Sequence, residues 1–155
     1  MPNHFLDSSA LVKHYHAEAG TDEVDRLLAE PNARHFIARL TIVEVQSAFV
    51  RKVREGKLTL LELGAVRQRL LDDSAHRRLE VVRMTEGHYD TAEQLLRTYG
   101  PQPGQPRLRT LDALQLAVAL DVHQRLGVDK VVAADDNLCE VARNEQLLVL
   151  NPVQP

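Results

Sequence analysis

The chain has 155 residues, of which 44% are hydrophobic, 26% are charged and 4% are aromatic, with no Trp. This length fits one folded unit, so we expect a single domain spanning residues 1–155. The formal net charge of −3 excludes a protein that binds nucleic acid through a basic field over its whole surface, so such contacts must use local clusters of Lys and Arg.

Short apolar runs alternate along the chain with longer segments of helical period, a pattern typical of a parallel sheet covered by helices. The first half is predicted to contain two strands and four helices: strand 3–7, a helix from residue 8, a helix from residue 21, strand 35–38, helix 41–54 and helix 59–74. Ser8 and Ser9 can cap the first helix, and Gly56 ends the helix that Thr41 opens.

The second half is predicted to alternate in the same way: strand 79–82, helix 85–99, helix 111–126, strand 130–134, helix 137–145 and strand 147–150. Residues 100–106 contain three prolines and break the pattern. This loop is either a stiff surface connector or a wall of a site, and both interpretations stay open. The whole pattern indicates a doubly wound α/β fold.

Acidic residues stand at four places in otherwise apolar runs, namely Asp7, Glu44, Asp112 and Asp135. A carboxylate in apolar surroundings costs free energy to desolvate unless a cation or hydrogen-bond donors compensate it. Asp7 and Asp135 end strands, and they meet if the first and fourth strands are neighbours, as in a 3-2-1-4-5 order. The four acids therefore predict one pocket for a hard divalent metal ion.

Simpler roles are open for some of these acids. Asp7 can cap the helix that follows it, and Asp135 can be a turn or cap residue. Glu44 and Asp112 fit such roles less well, because the helix dipole offsets only about 0.3–1 kcal/mol of the cost of burying a charge.

The sequence carries no signal for export or for a membrane. Its start lacks a basic segment followed by a long apolar region, and no apolar stretch approaches the roughly 18 residues of a membrane span. The single Cys139 excludes an internal disulfide, and we expect it to be a small buried packing residue. We therefore expect a cytoplasmic protein.

Four segments, each around one of the acids, carry a resemblance to a known family: Phe5–Leu11, Leu40–Val45, Leu111–Ala117 and Val132–Leu138. In this order and at these intervals they resemble PIN-domain ribonucleases, and most closely the VapC-type toxins of bacterial toxin–antitoxin pairs. The resemblance implies a three-layer α/β/α sandwich with a mainly parallel five-stranded sheet. It also implies hydrolysis of RNA phosphodiester bonds with Mg²⁺ or Mn²⁺, a homodimer, and a cognate antitoxin protein that covers the site.

By position, the four acids match those that bind metal in this family, with Asp7 and Asp112 the strongest candidates for direct ligands. Glu44 and Asp135 complete the set, directly or through water. Supporting positions around them are predicted for Ser8, Ser9, Gln115 and Asp136. A helix cap explains Ser8 and Ser9 equally well, and a solvated turn explains Asp136.

Two positions depart from the family pattern. Many members have Thr or Ser where Ala133 stands, so one hydroxyl is missing here. Members often have His where Gln115 stands, and Gln can donate hydrogen bonds but cannot titrate. An alternative function is therefore a catalytically inactive PIN-like module that binds RNA or protein, although such a module has no reason to keep four buried acids. An aspartyl phosphatase is a weak rival, because Ser9 stands where its second Asp belongs.

RNA binding requires local positive charge, and the sequence offers two groups. Arg51 and Lys52 lie near the end of the helix that contains Glu44, while Arg107 and Arg109 directly precede Asp112. A solvated helix end, favoured by the helix dipole, explains the first group equally well. The second group lies nearer to the predicted metal pocket.

Overall fold

The computed structural model of the protein describes residues 1–155 and contains five strands: β1 (Asn3–Leu6), β2 (Arg34–Ala38), β3 (Glu80–Val82), β4 (Lys130–Val132) and β5 (Val149–Leu150). They form one sheet in the order β3-β2-β1-β4-β5, and every pair is parallel. In the central pair, His4 lies opposite Lys130 and Leu6 opposite Val132. The prediction that the first and fourth strands are adjacent in the sheet is confirmed.

Seven helices connect and cover the strands: α1 (Ser8–Tyr15), α2 (Thr21–Leu28), α3 (Arg39–Arg54), α4 (Leu60–Ala75), α5 (Glu86–Thr98), α6 (Thr110–Leu126) and α7 (Asp136–Asn144). Helices α1 to α4 cover one face of the sheet, and α5 to α7 cover the other. The predicted three-layer α/β/α sandwich is confirmed. No helix combines the length and the apolar character that a membrane crossing requires.

The two faces of the sheet are packed by separate apolar clusters, because successive side chains of a strand point to opposite faces. In β1, Phe5 joins the cluster on the side of α5 to α7, whereas Leu6 joins the cluster on the side of α1 to α4. Val131 and Val132 of β4 alternate in the same way. A strand buried on both faces reads as a continuous apolar run, which is why the strands were visible in the sequence.

Most elements differ from the predicted ranges by one or two residues at an end, and two of these differences have identifiable local reasons. Helix α3 begins at Arg39, with Ala38 as its N-cap, because the Thr41 hydroxyl bonds to Gln115 instead of capping the helix. Strand β5 begins at Val149, since the Leu147 amide donates to the Ala142 carbonyl at the end of α7 (3.0 Å). That bond closes the end of the helix as in a Schellman motif.

The C-terminal segment packs against the start of α2 at Gly20. Gly20 has φ +93°, a left-handed conformation that glycine adopts without steric cost. A Cβ atom at this position would lie 2.9 Å from the carbonyl oxygen of Pro152, which is buried. This close approach joins the end of the chain to the α1–α2 side of the fold.

Candidate active site

The four acids gather at the C-terminal edge of the central strands. Asp7 directly follows β1, and Asp135 is the N-cap of α7, shortly after the neighbouring β4. Glu44 comes from the first half of α3, and Asp112 from the first turn of α6. The negative charges of Glu44 and Asp112 act on Asp7, and the charge of Asp135 acts on Asp112. The structure therefore brings all four into one cluster.

Asp7 is the most buried member, with 3% of its surface exposed. Its Oδ2 accepts hydrogen bonds from the Ser9 amide (3.0 Å) and the Ser9 hydroxyl (2.5 Å). Burial raises the pKa of Asp7 to about 6; the Ser9 hydrogen bonds oppose this rise, and the charges of Glu44 and Asp112 add to it. Asp7 thus caps α1 and also belongs to the acidic cluster.

The Ser9 hydroxyl connects α1 to the end of β4, because it accepts a hydrogen bond from the Ala134 amide (2.9 Å). A hydroxyl is therefore present beside the β4 end although Ala133 provides none. Cys139 lies behind this segment, where its thiol donates to the Ala133 carbonyl (3.2 Å), and burial raises the pKa of Cys139 to about 11. The expectation of a buried packing cysteine is confirmed.

Glu44 is held by a network that joins α3 to α6. Gln115 donates from Nε2 to the Glu44 carboxylate (2.7 Å) and to the Thr41 hydroxyl (2.8 Å). Burial raises the pKa of Glu44, whereas hydrogen bonds from Gln115 and Ser8 oppose the rise. Sequence reasoning missed the contribution of Thr41, although its spacing of three residues from Glu44 places both on one helix face.

Asp112 and Asp135 are joined by the guanidinium group of Arg109. Its Nε donates to Asp112 Oδ2 (3.1 Å), and its Nη2 donates to Asp135 Oδ2 (3.2 Å). Burial raises the pKa of Asp112, and Arg109 opposes that rise. The other Asp135 oxygen, Oδ1, accepts from the Leu138 amide (2.9 Å) and caps α7. The predicted cap role of Asp135 is thus real, and it coexists with membership of the cluster.

The acids are close in space, but no three His, Cys, Asp or Glu side chains are arranged as ligands of one ion. Asp112 and Asp135 are instead turned toward Arg109. The chemistry of the donor set fits a hard divalent cation, because every donor is a carboxylate and only Arg109 forms an ion pair with any of the four acids. The pKa values of Asp7, Glu44 and Asp112 are raised by the same main cause, desolvation of the carboxylate by burial.

A groove of about 770 Å³ opens beside the cluster. Glu44 and Asp112 line it with Ser8 and Ser9, and so do two arginines, Arg51 and Arg109. Exposed apolar side chains of Val43 and Leu111 lie along the same groove. Residues 100–106 do not line it, which favours a surface connector for that loop.

The remaining predicted residues lie outside the groove. Arg107 is exposed and its side chain forms no ion pair. The Asp136 carboxylate is exposed and accepts a hydrogen bond from Asn151 (3.3 Å). Lys52 is buried, and its ammonium donates to Glu18 (3.2 Å). This placement does not support the predicted RNA contact of Lys52, because its charge is already compensated inside the fold.

A second cavity, of about 350 Å³, lies near the start of β2 and the end of α4, away from the acidic cluster. Its polar side chains largely satisfy one another: Asp73 accepts from Tyr15 (2.8 Å) and Arg78 (3.1 Å), and His14 bonds to Asp25 (2.5 Å). These contacts indicate a structural network, so the acidic groove remains the stronger site.

The fold and the cluster together define a class of α/β/α proteins that carry carboxylates at the point where the chain leaves two central parallel strands in opposite directions. The model of the PIN domain matches residues 4–144. The chain therefore belongs to the PIN domain family. No curated protein matches it in sequence.

Several solved structures share the fold over almost the whole chain. VapC20 of Mycobacterium tuberculosis, a sarcin–ricin-loop-cleaving toxin, has a TM-score of 0.68 at 15% identity, covering 98% of this chain and 99% of that one. A FitAB complex bound to an IR36 DNA fragment has a TM-score of 0.65 at 16% identity, covering 98% and 96%. A toxin–antitoxin complex from Klebsiella pneumoniae has a TM-score of 0.60 at 16% identity, covering 97% and 98%.

Proposed function

We propose that this protein is a metal-dependent endoribonuclease that hydrolyses RNA phosphodiester bonds and acts as the toxin of a toxin–antitoxin pair. The observation that carries the proposal is the cluster of four carboxylates at the C-terminal edge of β1 and β4 in a PIN-domain chain. The likeness to VapC20, a toxin that cleaves the sarcin–ricin loop, supports the choice of RNA as substrate. Such a toxin would act on RNA in the cytoplasm.

The proposed metal is Mg²⁺ or Mn²⁺, with Asp7 and Asp112 as direct ligands and with Glu44 and Asp135 bound directly or through water. Carboxylate oxygens are the donors that these hard ions prefer. When bound, the ion supplies a water of lowered pKa and neutralises charge on the phosphate oxygens. Positive charge from an ion would also offset the burial that raises the pKa values of Asp7, Glu44 and Asp112.

The residues around the acids orient them for this chemistry. Ser9 holds the Asp7 carboxylate through two hydrogen bonds, and Gln115 holds the Glu44 carboxylate through one. Glu44 is half-buried and borders the groove, which supports the proposed role of orienting the attacking water. Fixed orientation of this kind lowers the entropic cost of reaching the reactive geometry.

The phosphate backbone of the RNA would be held by the cations of the groove. Arg51 and Arg109 line it, and the exposed Arg107 lies two residues before Arg109. Guanidinium groups suit phosphate because they donate two parallel hydrogen bonds. Because the net charge is −3, this local cluster has to supply the attraction.

The test is cleavage of a pooled structured RNA by the purified, antitoxin-free protein in Mg²⁺ or Mn²⁺. We expect cutting that is lost in EDTA and in Asp7→Asn. Asp90→Asn is a matched control, because this acid is exposed on α5 and forms no ion pair. RNA binding without any cutting by the unaltered protein would contradict the proposal and favour the catalytically inactive RNA- or protein-binding module.

A cognate antitoxin would need an exposed apolar surface on this protein. Leu60 and Leu61 at the start of α4 are 77% and 86% exposed, whereas their neighbours Leu58 and Leu63 are buried. We propose that an antitoxin covers the two exposed leucines. A Leu60→Ser/Leu61→Ser double variant should lose antitoxin binding and keep its RNA cleavage, and retained binding would remove this idea. The homodimer stays a prediction that light scattering can check.

A further inference from the structure

Arg109 occupies an unusual position for a residue expected to bind RNA. It is the N-cap of α6, and its guanidinium group bridges two acids from different parts of the chain, Asp112 in α6 and Asp135 before α7. Its main-chain amide also points to Asp112 Oδ2 (3.4 Å). The carboxylates of Asp7 and Glu44 are near enough for their charges to interact with it. Arg109 is therefore the internal counter-ion of the whole cluster.

The bridge occupies one oxygen each of Asp112 and Asp135, two of the four acids proposed to bind the metal. The same oxygen of Asp112, Oδ2, receives donors from both the backbone and the side chain of Arg109, and Asp135 gives Oδ1 to the α7 cap and Oδ2 to Arg109. In this arrangement no three acids are placed as ligands of one ion. A divalent cation bound through these same oxygens would compete with the guanidinium group for them.

The bridge is also easy to break. The Arg109 side chain is 65% exposed and lies on the wall of the groove, so water can replace its contacts at little cost. Once released, the guanidinium group would remain beside the groove, where a phosphate of the substrate would pass. The first turn of α6 need not change, because the bond from the Ala113 amide to the Arg109 carbonyl (2.9 Å) does not involve the guanidinium group.

We propose that Arg109 is a displaceable counter-ion that competes with the divalent metal for Asp112 and Asp135 and thereby weakens metal binding until the two carboxylates are released. This inference rests on the proposed function, because it assumes that the cluster binds a metal. It assigns to one arginine two successive partners, the acids in the metal-free protein and the phosphate backbone when metal is bound.

The test is direct measurement of Mn²⁺ binding by electron paramagnetic resonance, with no substrate present. Arg109→Gln should bind Mn²⁺ about three- to tenfold more tightly than the unaltered protein. Only the unaltered protein has to break an exposed ion pair before the metal binds. Arg107→Gln is the matched control, because it removes the same charge two residues away from a side chain without an ion pair. It should change the affinity by less than about twofold.

Salt separates direct competition from the general field of a positive charge. In about 0.5 M KCl the effect of a distant charge is largely screened, whereas competition for the same oxygens remains. The tighter Mn²⁺ binding of Arg109→Gln should therefore persist at high salt. The Mn²⁺ affinity of Arg109→Lys should lie between those of Arg109→Gln and the unaltered protein. An ammonium group keeps the charge, but it lacks the planar guanidinium group that bridges the two carboxylates. Circular dichroism checks that each variant is folded.

Nuclear magnetic resonance of the arginine Nε–H groups gives a second readout. The Arg109 signal should shift during titration with Mg²⁺, while the Arg107 signal should not. Equal Mn²⁺ affinity of Arg109→Gln and the unaltered protein would overturn this inference alone. Absence of Mn²⁺ and Mg²⁺ binding in every protein would overturn both this inference and the proposed metal-dependent activity.

Discussion

Replacing Asp7 with Asn should make the metal-free protein more stable near neutral pH, although the same change should abolish cleavage. Asp7 is 3% exposed, and burial raises the pKa of its carboxyl group from the usual 3.8 to about 6. Folding therefore disfavours the ionised carboxylate. An Asn side chain has nearly the same shape, carries no charge, and can still accept the hydrogen bonds from Ser9.

Proton binding to Asp7 determines how the free energy of unfolding changes with pH. Between pH 4 and about 6 the folded protein holds a proton on Asp7 that the unfolded chain has already released, so the free energy of unfolding falls as the pH rises through this range. At about 1.4 kcal/mol per pK unit, the raised pKa corresponds to roughly 3 kcal/mol at pH 7. The Asn amide group brings new donors that need partners, so we expect a net gain of about 1–3 kcal/mol.

Urea unfolding of both proteins in EDTA at pH 4, 5.5 and 7 measures this effect. The free energy of unfolding of Asp7→Asn should exceed that of the unaltered protein by nearly zero at pH 4 and by the largest amount at pH 7. In thermal unfolding at pH 7, the melting temperature of the variant should be higher by about 3–10 °C. Asp90→Asn, the same change at an exposed acid of α5, should show little difference. A variant that is less stable than the unaltered protein at pH 7, or whose advantage does not depend on pH, would refute the reasoning.

Three further predictions concern other parts of the molecule. Gln115→Leu should lower RNA cleavage at least about tenfold and the free energy of unfolding by about 1–3 kcal/mol, because Glu44 loses its hydrogen-bond donor; equal activity in a cleavage assay would contradict this. Gly20→Ala should lower the free energy of unfolding by about 1–3 kcal/mol in a urea titration, because its φ is positive and its Cβ would lie 2.9 Å from a backbone oxygen. The helical Gly64→Ala has open space around it, so this variant should raise the free energy of unfolding by about 0.5–1 kcal/mol. Arg51→Gln should reduce the slope of log affinity against log salt for RNA by about one in a filter-binding titration, and an unchanged slope would exclude a phosphate contact.

Much of the fold was accessible from local patterns. Strand and helix positions follow from the period of the apolar residues, and each depends only on neighbours in the chain. The placement of Asp7 and Asp135 at one edge of the sheet was also predictable, because Asp7 follows β1, Asp135 lies shortly after the neighbouring β4, and parallel strands share one C-terminal edge. The membership of Glu44 and Asp112 in the cluster came from their apolar flanks, which made an unpaired charge too costly.

Other properties could not be predicted, because they depend on how distant elements are rotated against each other. Lys52 looked like a free cation at a helix end, but it points to Glu18, 34 residues away, and is buried. Thr41 looked like a helix cap, yet its hydroxyl faces Gln115, 74 residues away. Neither partner can be found from spacing along one helix.

The sequence by itself determined the alternation of strands and helices, the four acids and the edge of the sheet where they meet, because burial of apolar side chains imposes those patterns on every stretch of chain. Only the tertiary structure decided which charges are already paired. The bridge from Arg109 to Asp112 and Asp135 joins α6 to α7, and the bond from Gln115 to Glu44 joins α6 to α3. Such pairs form where packing brings rotamers of separate helices within about 3 Å of each other, and no local pattern encodes that distance.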